Sequence, residues 1–183
     1  MPTIYNITDQ LPKGTGQYPT RRETDITDLV IHHSAADPRF GPHDFADWHI
    51  NTNGWPGIGY HYVIMPDGTI YQTNHHQTAS YHCGGHNRYT LGICLAGDFE
   101  QYTPPKVQKE ALVWLLKKLR KELPNAIFIN GHRDYKSTSC PGQYLDVEEI
   151  RARVMKKNSG AWVFGVLIGL GVVGAVVLAV FAW

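Results

Sequence analysis

The sequence predicts an α/β protein: a single domain with a central mixed β-sheet flanked by helices, followed by one C-terminal transmembrane helix. Three observations carry this. Short β-branched and aromatic runs, bounded by Gly, Pro, Asn and Asp, read as strands. Between them lie segments whose apolar residues recur at helical spacing. The last stretch, Ala161 to Trp183, contains no charged residue. The expected boundaries are a domain over 1–155, a linker over 156–160 and a membrane span over 161–183.

Residues 1 to about 24 read as an extended arm punctuated by Pro and Gly. Asp28 to His33 is short and β-branched, a buried strand. HDFADWHINTN then reads as a short helix with Phe45, Trp48 and His49 at helical spacing. Tyr60 to Met65, the turn Pro66-Asp67-Gly68 and Thr69 to Gln72 form a hairpin. Residues 73 to 90, rich in His, Gly and Asn, form a long loop before a strand over Leu91 to Ala96. Thr103-Pro104-Pro105 opens a helix to about Glu122, with Val107, Ala111, Trp114, Leu115 and Leu119 on one face. Ala126 to Ile129 is a strand, and Gly131 to Tyr144 a loop. Asp146 caps a last helix, with Glu149 completing a capping-box pattern.

A chain of 183 residues suits one compact domain and an appendage. Its formal net charge of +1 offers no field for a polyanion, so nucleic acid is not an expected partner. Three cysteines build no disulfide framework. Cys94, inside the apolar run LGICLAG, reads as a small buried hydrophobe, and Cys83, in a Gly/His loop, as a free thiol. The start, MPTIYNITDQLPKG, lacks the basic and apolar blocks of a secretory signal peptide.

Two stretches about a hundred residues apart carry metal-ligand chemistry. DLVIHHSA holds His32 and His33 at a strand end, and NGHRDYKSTSCPG holds His132 and Cys140. Imidazole and thiolate are ligands that zinc prefers, and a catalytic zinc takes three protein ligands and leaves one position open for water. His32, His132 and Cys140 make such a set. Bound water then ionises near neutral pH, and the metal polarises a carbonyl under attack. His33 points to the opposite face of its strand, toward packing or a supporting hydrogen bond. Arg133 and Asp134 read as an ion pair shaping the second loop. The histidines within residues 73 to 90 match no ligand spacing. Trp48 and Trp55 are candidates for stacking on sugar or peptide, and Trp48 equally for core packing.

Four blocks in order, VIHHSA, WHINTNGWPGIGYHYVIMPDG, GHNRYTLGICLAGDF and GHRDYKSTSCPG, resemble the type 2 N-acetylmuramoyl-L-alanine amidases. That family includes phage lysozyme-type amidases and animal peptidoglycan recognition proteins. The resemblance covers roughly residues 25 to 145. It implies zinc (Zn2+) on His32, His132 and Cys140, with Tyr60 beside the metal to orient water or stabilise an oxyanion. It implies that the loop with His82 and Asn87 borders the peptide-stem cleft, which Trp55 would also line. Thr138 stands where phage members often carry Lys and animal members Thr, and its hydroxyl is a second candidate for the oxyanion. The implied reaction is hydrolysis between N-acetylmuramic acid and L-alanine of peptidoglycan, as in a phage endolysin. The alternative is a non-catalytic, membrane-bound peptidoglycan receptor. Cys140 separates the two, because loss of the third ligand removes the metal.

As a helix, residues 161–183 reach about 35 Å at ~1.5 Å per residue, enough for a hydrocarbon core of ~30 Å. Trp162, Phe164, Phe181 and Trp183 lie near its ends, as interfacial aromatics do. Gly165 and Gly169, then Gly171 and Ala175, have the small-residue spacing that permits self-association. Arg151, Arg153, Lys156 and Lys157 precede the span, which places that side in the cytoplasm. The expected location is the host inner membrane, the catalytic domain on the cytoplasmic face until a pore-forming partner, or the clustered tails, breach the bilayer.

Overall fold

The computed structural model describes residues 2–156. Its frame is a six-stranded sheet in the order β1-β4-β3-β5-β2-β6. The strands are β1 (Ile4–Asn6), β2 (Asp28–His33), β3 (Tyr62–Ile64), β4 (Ile70–Gln72), β5 (Thr90–Leu95) and β6 (Phe128–Gly131). The helices are α1 (Pro42–Asn53), α2 (Lys106–Glu122) and α3 (Val147–Met155). β5, β2, β6 and β3 run parallel, β4 is antiparallel to β3, and β1 is parallel to β4. The sheet is mixed, as the sequence suggests.

β2 and β5 are buried along their whole lengths, as parallel strands covered on both faces must be. Alternation sends Leu29, Ile31, Leu91, Ile93 and Ile129 to one face, where they meet Leu112, Leu115, Leu116 and Leu119 of α2 and Ile150 of α3. Val63, Cys94 and Ala96 face the other way and pack on Phe45 and Ala46 of α1. Gln108 ties the layers together, its amide donating to the carbonyls of Ile64 (2.9 Å) and Ala96 (3.0 Å). The Asp146 carboxylate caps α3 by accepting from Glu149 N–H at 3.0 Å.

Two expectations change. The N-terminal arm carries β1, which pairs Ile4–Asn6 with Ile70–Gln72 at the sheet edge. That strand is too short and too exposed to leave an apolar pattern. Val107 is exposed, and Gln108 takes its place on the buried side of α2. Of the two readings of Trp48, its 63% exposure excludes core packing and leaves the stacking role. β5 lies between β3 and β2. Among the described residues no helix is long and apolar enough to cross a membrane, and the expected span over 161–183 lies outside them.

Candidate metal centre and active site

His32 stands near the C-terminal end of β2, on the face that α1 covers, where parallel sheets commonly place their sites. β6 lies beside β2 in register, Gly131 opposite Ile31, so the residue after β6 is delivered next to His32. That residue is His132, which opens a short 3-10 helix, and its ring centroid lies 4.6 Å from that of His32. The chain then loops back to present Cys140, with Sγ 3.7 Å from His32 Nδ1. One donor atom from each of the three lies within 4.8 Å of the others.

Arg133 and Asp134 hold this loop, but not as a pair with each other. Asp134 accepts from Gly131 N–H at 2.9 Å. The Arg133 guanidinium donates to the carbonyls of Ser139 (2.8 Å) and Gly142 (2.6 Å), and its backbone N–H to that of Cys140 (3.0 Å). The guanidinium has several N–H donors, so one side chain can hold more than one carbonyl of the turn. Gly142 has φ +96°, and a Cβ on it would lie 2.4 Å from the Phe99 backbone, so the turn behind Cys140 needs glycine.

The electrostatics suit a metal. Burial, then the neighbouring His82 and His132, holds His32 well below its ordinary pKa. Burial, then Lys136, lowers His132 as well. Both imidazoles are therefore neutral and have a lone pair to give. Burial pushes the Cys140 thiol up to about 12, partly offset by the His33 backbone N–H and Arg133. Two neutral imidazoles and a thiol at these separations fit zinc. A tetrahedral zinc with ordinary bond lengths sets its ligands roughly 3.5 Å apart, close to the 3.7 Å between Cys140 Sγ and His32 Nδ1.

Tyr60 sits where two cavities meet. A pocket of about 280 Å³ is lined by His32, His132, Cys140, Thr138, Trp55 and Tyr60. A larger cleft of about 670 Å³ runs from Tyr60 along α1, past Phe40, Asp44, Trp48 and Asn51. The Tyr60 ring centroid is 5.4 Å from that of His32. Burial, then Cys94 and Cys140, keeps its phenol protonated by raising its pKa well above 10. The Thr138 hydroxyl accepts from Cys140 N–H at 3.3 Å. Trp55 stacks on His49 at 4.8 Å and meets Tyr81 edge-on at 6.0 Å.

Of the remaining expected residues, His82 lines the same pocket and Asn87 lies in the loop that carries it. His82 is buried, with Nδ1 3.1 Å from His32 Nε2. The Asn87 side-chain oxygen accepts from the backbone N–H of His82 (3.2 Å) and Cys83 (2.7 Å). His33 Nδ1 accepts from Phe99 N–H at 3.1 Å. Cys83 and Cys94 are free thiols. Sequence reading missed Asp44 and Phe40 of the cleft, since an exposed residue at a helix start or in a loop has no distinctive pattern.

The family model for N-acetylmuramoyl-L-alanine amidase matches residues 22–143. The chain belongs to this amidase family. Similar proteins include an endolysin of Enterobacteria phage K11, 31% identical over 132 residues, an alignment spanning 68% of this chain and 85% of that protein. Among solved structures, the endolysine N-acetylmuramoyl-L-alanine amidase LysCS from Clostridium intestinale URNW superposes with a TM-score of 0.73 at 30% identity, covering 86% of this chain and 98% of that one. The Ph2119 endolysin from a Thermus scotoductus bacteriophage gives 0.74 at 29% identity, with 84% and 100% coverage. The family match spans His32, His132 and Cys140 of the candidate centre.

Proposed function

We propose that the protein is a zinc-dependent peptidoglycan amidase that hydrolyses the bond between N-acetylmuramic acid and L-alanine of the stem peptide, and that it serves as a phage endolysin. The observation that carries this is the convergence of His32, His132 and Cys140 within 4.8 Å, in a pocket joined at Tyr60 to the long cleft beside α1.

Zinc held by these three groups supplies Lewis acidity and a water that ionises near neutral pH. The protein's own residues do the rest. The cleft along α1 takes the substrate strand, with the exposed indole of Trp48 as a stacking surface for a sugar ring. Asp44 and Asp47 on the same wall accept hydrogen bonds from its hydroxyls. Trp55 walls the side nearest the scissile bond. The Tyr60 phenol, held protonated, donates to the oxyanion that forms at the lactyl carbonyl. The Thr138 hydroxyl, free to rotate in the same pocket, is a second donor. The C–N bond breaks as the water oxygen stays on the lactyl carboxylate, and both protons of that water leave on the L-alanine amine, which departs as an ammonium.

Residues 161–183 anchor the enzyme in the host inner membrane, and the basic cluster Arg151, Arg153, Lys156 and Lys157 keeps the catalytic domain on the cytoplasmic side. It waits there until a pore-forming partner, or its own clustered tails, opens the bilayer. The test is to incubate residues 1–158 with purified peptidoglycan, with and without a chelator, and read released stem peptides by mass spectrometry. Release of stem peptides beginning at L-alanine, abolished by chelation, is expected. No release, or cleavage elsewhere in the peptide, would refute the reading. Protease added to intact spheroplasts tests the topology: digestion of the domain from outside before lysis would exclude a cytoplasmic store.

A further inference from the structure

Behind His32 lies a buried polar chain that the proposed reaction does not use directly. His32 Nε2 is 3.1 Å from His82 Nδ1. The other nitrogen of His82, Nε2, lies 3.3 Å from the Thr90 carbonyl oxygen and 3.2 Å from Thr90 Oγ1. The Thr90 hydroxyl spends its own proton on the His86 carbonyl at 2.9 Å. Both groups facing His82 Nε2 are thus acceptors, and the His82 proton must sit on Nε2. A neutral imidazole carries one proton, so His82 Nδ1 presents a lone pair. The hydrogen between the two rings therefore belongs to His32 Nε2. That leaves the lone pair of His32 on Nδ1, the atom 3.7 Å from Cys140 Sγ.

The backbone is shaped to keep His82 there. A Cβ on Gly92 would lie 2.6 Å from His82 Cγ and 2.7 Å from His82 Nδ1, so only glycine at this point of β5 leaves room for the ring. The Asn87 side-chain oxygen gathers the N–H groups of His82 and Cys83 and pins the loop that carries the ring.

We propose that His82 is a positioning residue: it accepts the Nε2 proton of His32, fixes that imidazole in the tautomer whose Nδ1 faces the metal, and so sets zinc affinity. Asn87 and Gly92 act through it. The inference rests on the zinc reading above, and its test separates the two.

The full-length protein in detergent micelles is the material. In the metal-free wild type, ¹H–¹⁵N correlation through the imidazole rings should show His32 protonated at Nε2, its signal assigned with His32→Gln. His82→Phe, which keeps a ring but no acceptor, should lose that single tautomer. Its zinc affinity, by competition with a chromophoric chelator, should weaken roughly 10- to 100-fold, the usual cost of removing a hydrogen-bond partner behind a metal ligand. His82→Asn, whose side-chain oxygen can stand where Nδ1 stands, should recover most of that loss. A wild-type His32 protonated at Nδ1 would overturn the proposal without any variant. Equal losses in the Phe and Asn variants would overturn it too, as packing alone. Wild-type protein that takes up no zinc would instead remove the metal reading itself.

Discussion

His49 gives the sharpest test of how this site is held. It is buried on the inner face of α1, and its Nδ1 accepts from Gly59 N–H at 3.0 Å. Its single proton therefore sits on Nε2. Trp55 lies on one side at 4.8 Å and Tyr60 on the other at 5.3 Å, between ring centroids. Burial lowers its pKa from 6.5 to about 4. A second proton would have to enter at Nδ1, where it would face the Gly59 N–H. The unfolded chain takes up this proton near 6.5 and the folded protein only near 4, so the unfolded state binds more protons across that window. Stability contributed by neutral His49 is full above about 6.5 and is lost as pH falls toward 4. At about pH 5 the loss from this group is roughly 2 kcal/mol relative to pH 8. The assay is urea denaturation of metal-free protein at both pH values, for wild type and His49→Asn, whose side-chain oxygen can still accept from Gly59. Wild type should lose roughly 2 kcal/mol more than the variant on acidification. Parallel losses would refute the reasoning, and His49 would then be charged or water-accessible in the fold. Because Gly59 precedes Tyr60, the same protonation should also loosen the Tyr60 ring.

Three further outcomes follow from the centre. Cys140→Ser should lose both zinc and turnover, and in the wild type zinc uptake should release the thiol proton, so affinity falls about tenfold per pH unit below neutrality; retained zinc content in the variant would show the ligand set to be wrong. Tyr60→Phe should keep its zinc and lower turnover roughly 10²-fold, and an unchanged rate would return Tyr60 to packing. Arg133→Ala frees the carbonyls of Ser139 and Gly142, and should weaken zinc about tenfold or more in a chelator competition, whereas unaltered affinity would mean that the turn holds Cys140 by itself.

Much of the fold was legible because its signals are local. Apolar runs marked β2 and β5, Pro66-Asp67-Gly68 marked the hairpin, and Asp146 marked the start of α3. β1 was not legible, since three half-exposed residues pair with β4 only once the sheet exists. Val107 was misjudged, and Trp48 was left between two readings, for a related reason. Periodicity tells which residues share a helix face, but not which face a neighbour will cover. Arg133 and Asp134 look like partners because they are adjacent and opposite in charge. The loop instead turns each toward a different backbone segment.

By itself the sequence determined the chemistry: two imidazoles, a thiol and a phenol of the types a hydrolytic zinc requires, in motifs whose order identifies the family. The tertiary structure decided the arrangement. The parallel pairing of β2 with β6 brings His132 beside His32 from a hundred residues away, and the Arg133 clamp returns Cys140 to them. It also decided that His82, which lines the same pocket, reaches His32 through its Nδ1, and that Asn87 braces the backbone of the loop that carries it. Hydrogen bonding and close packing at Gly92 depend on distances between strands, and spacing along a chain does not encode those.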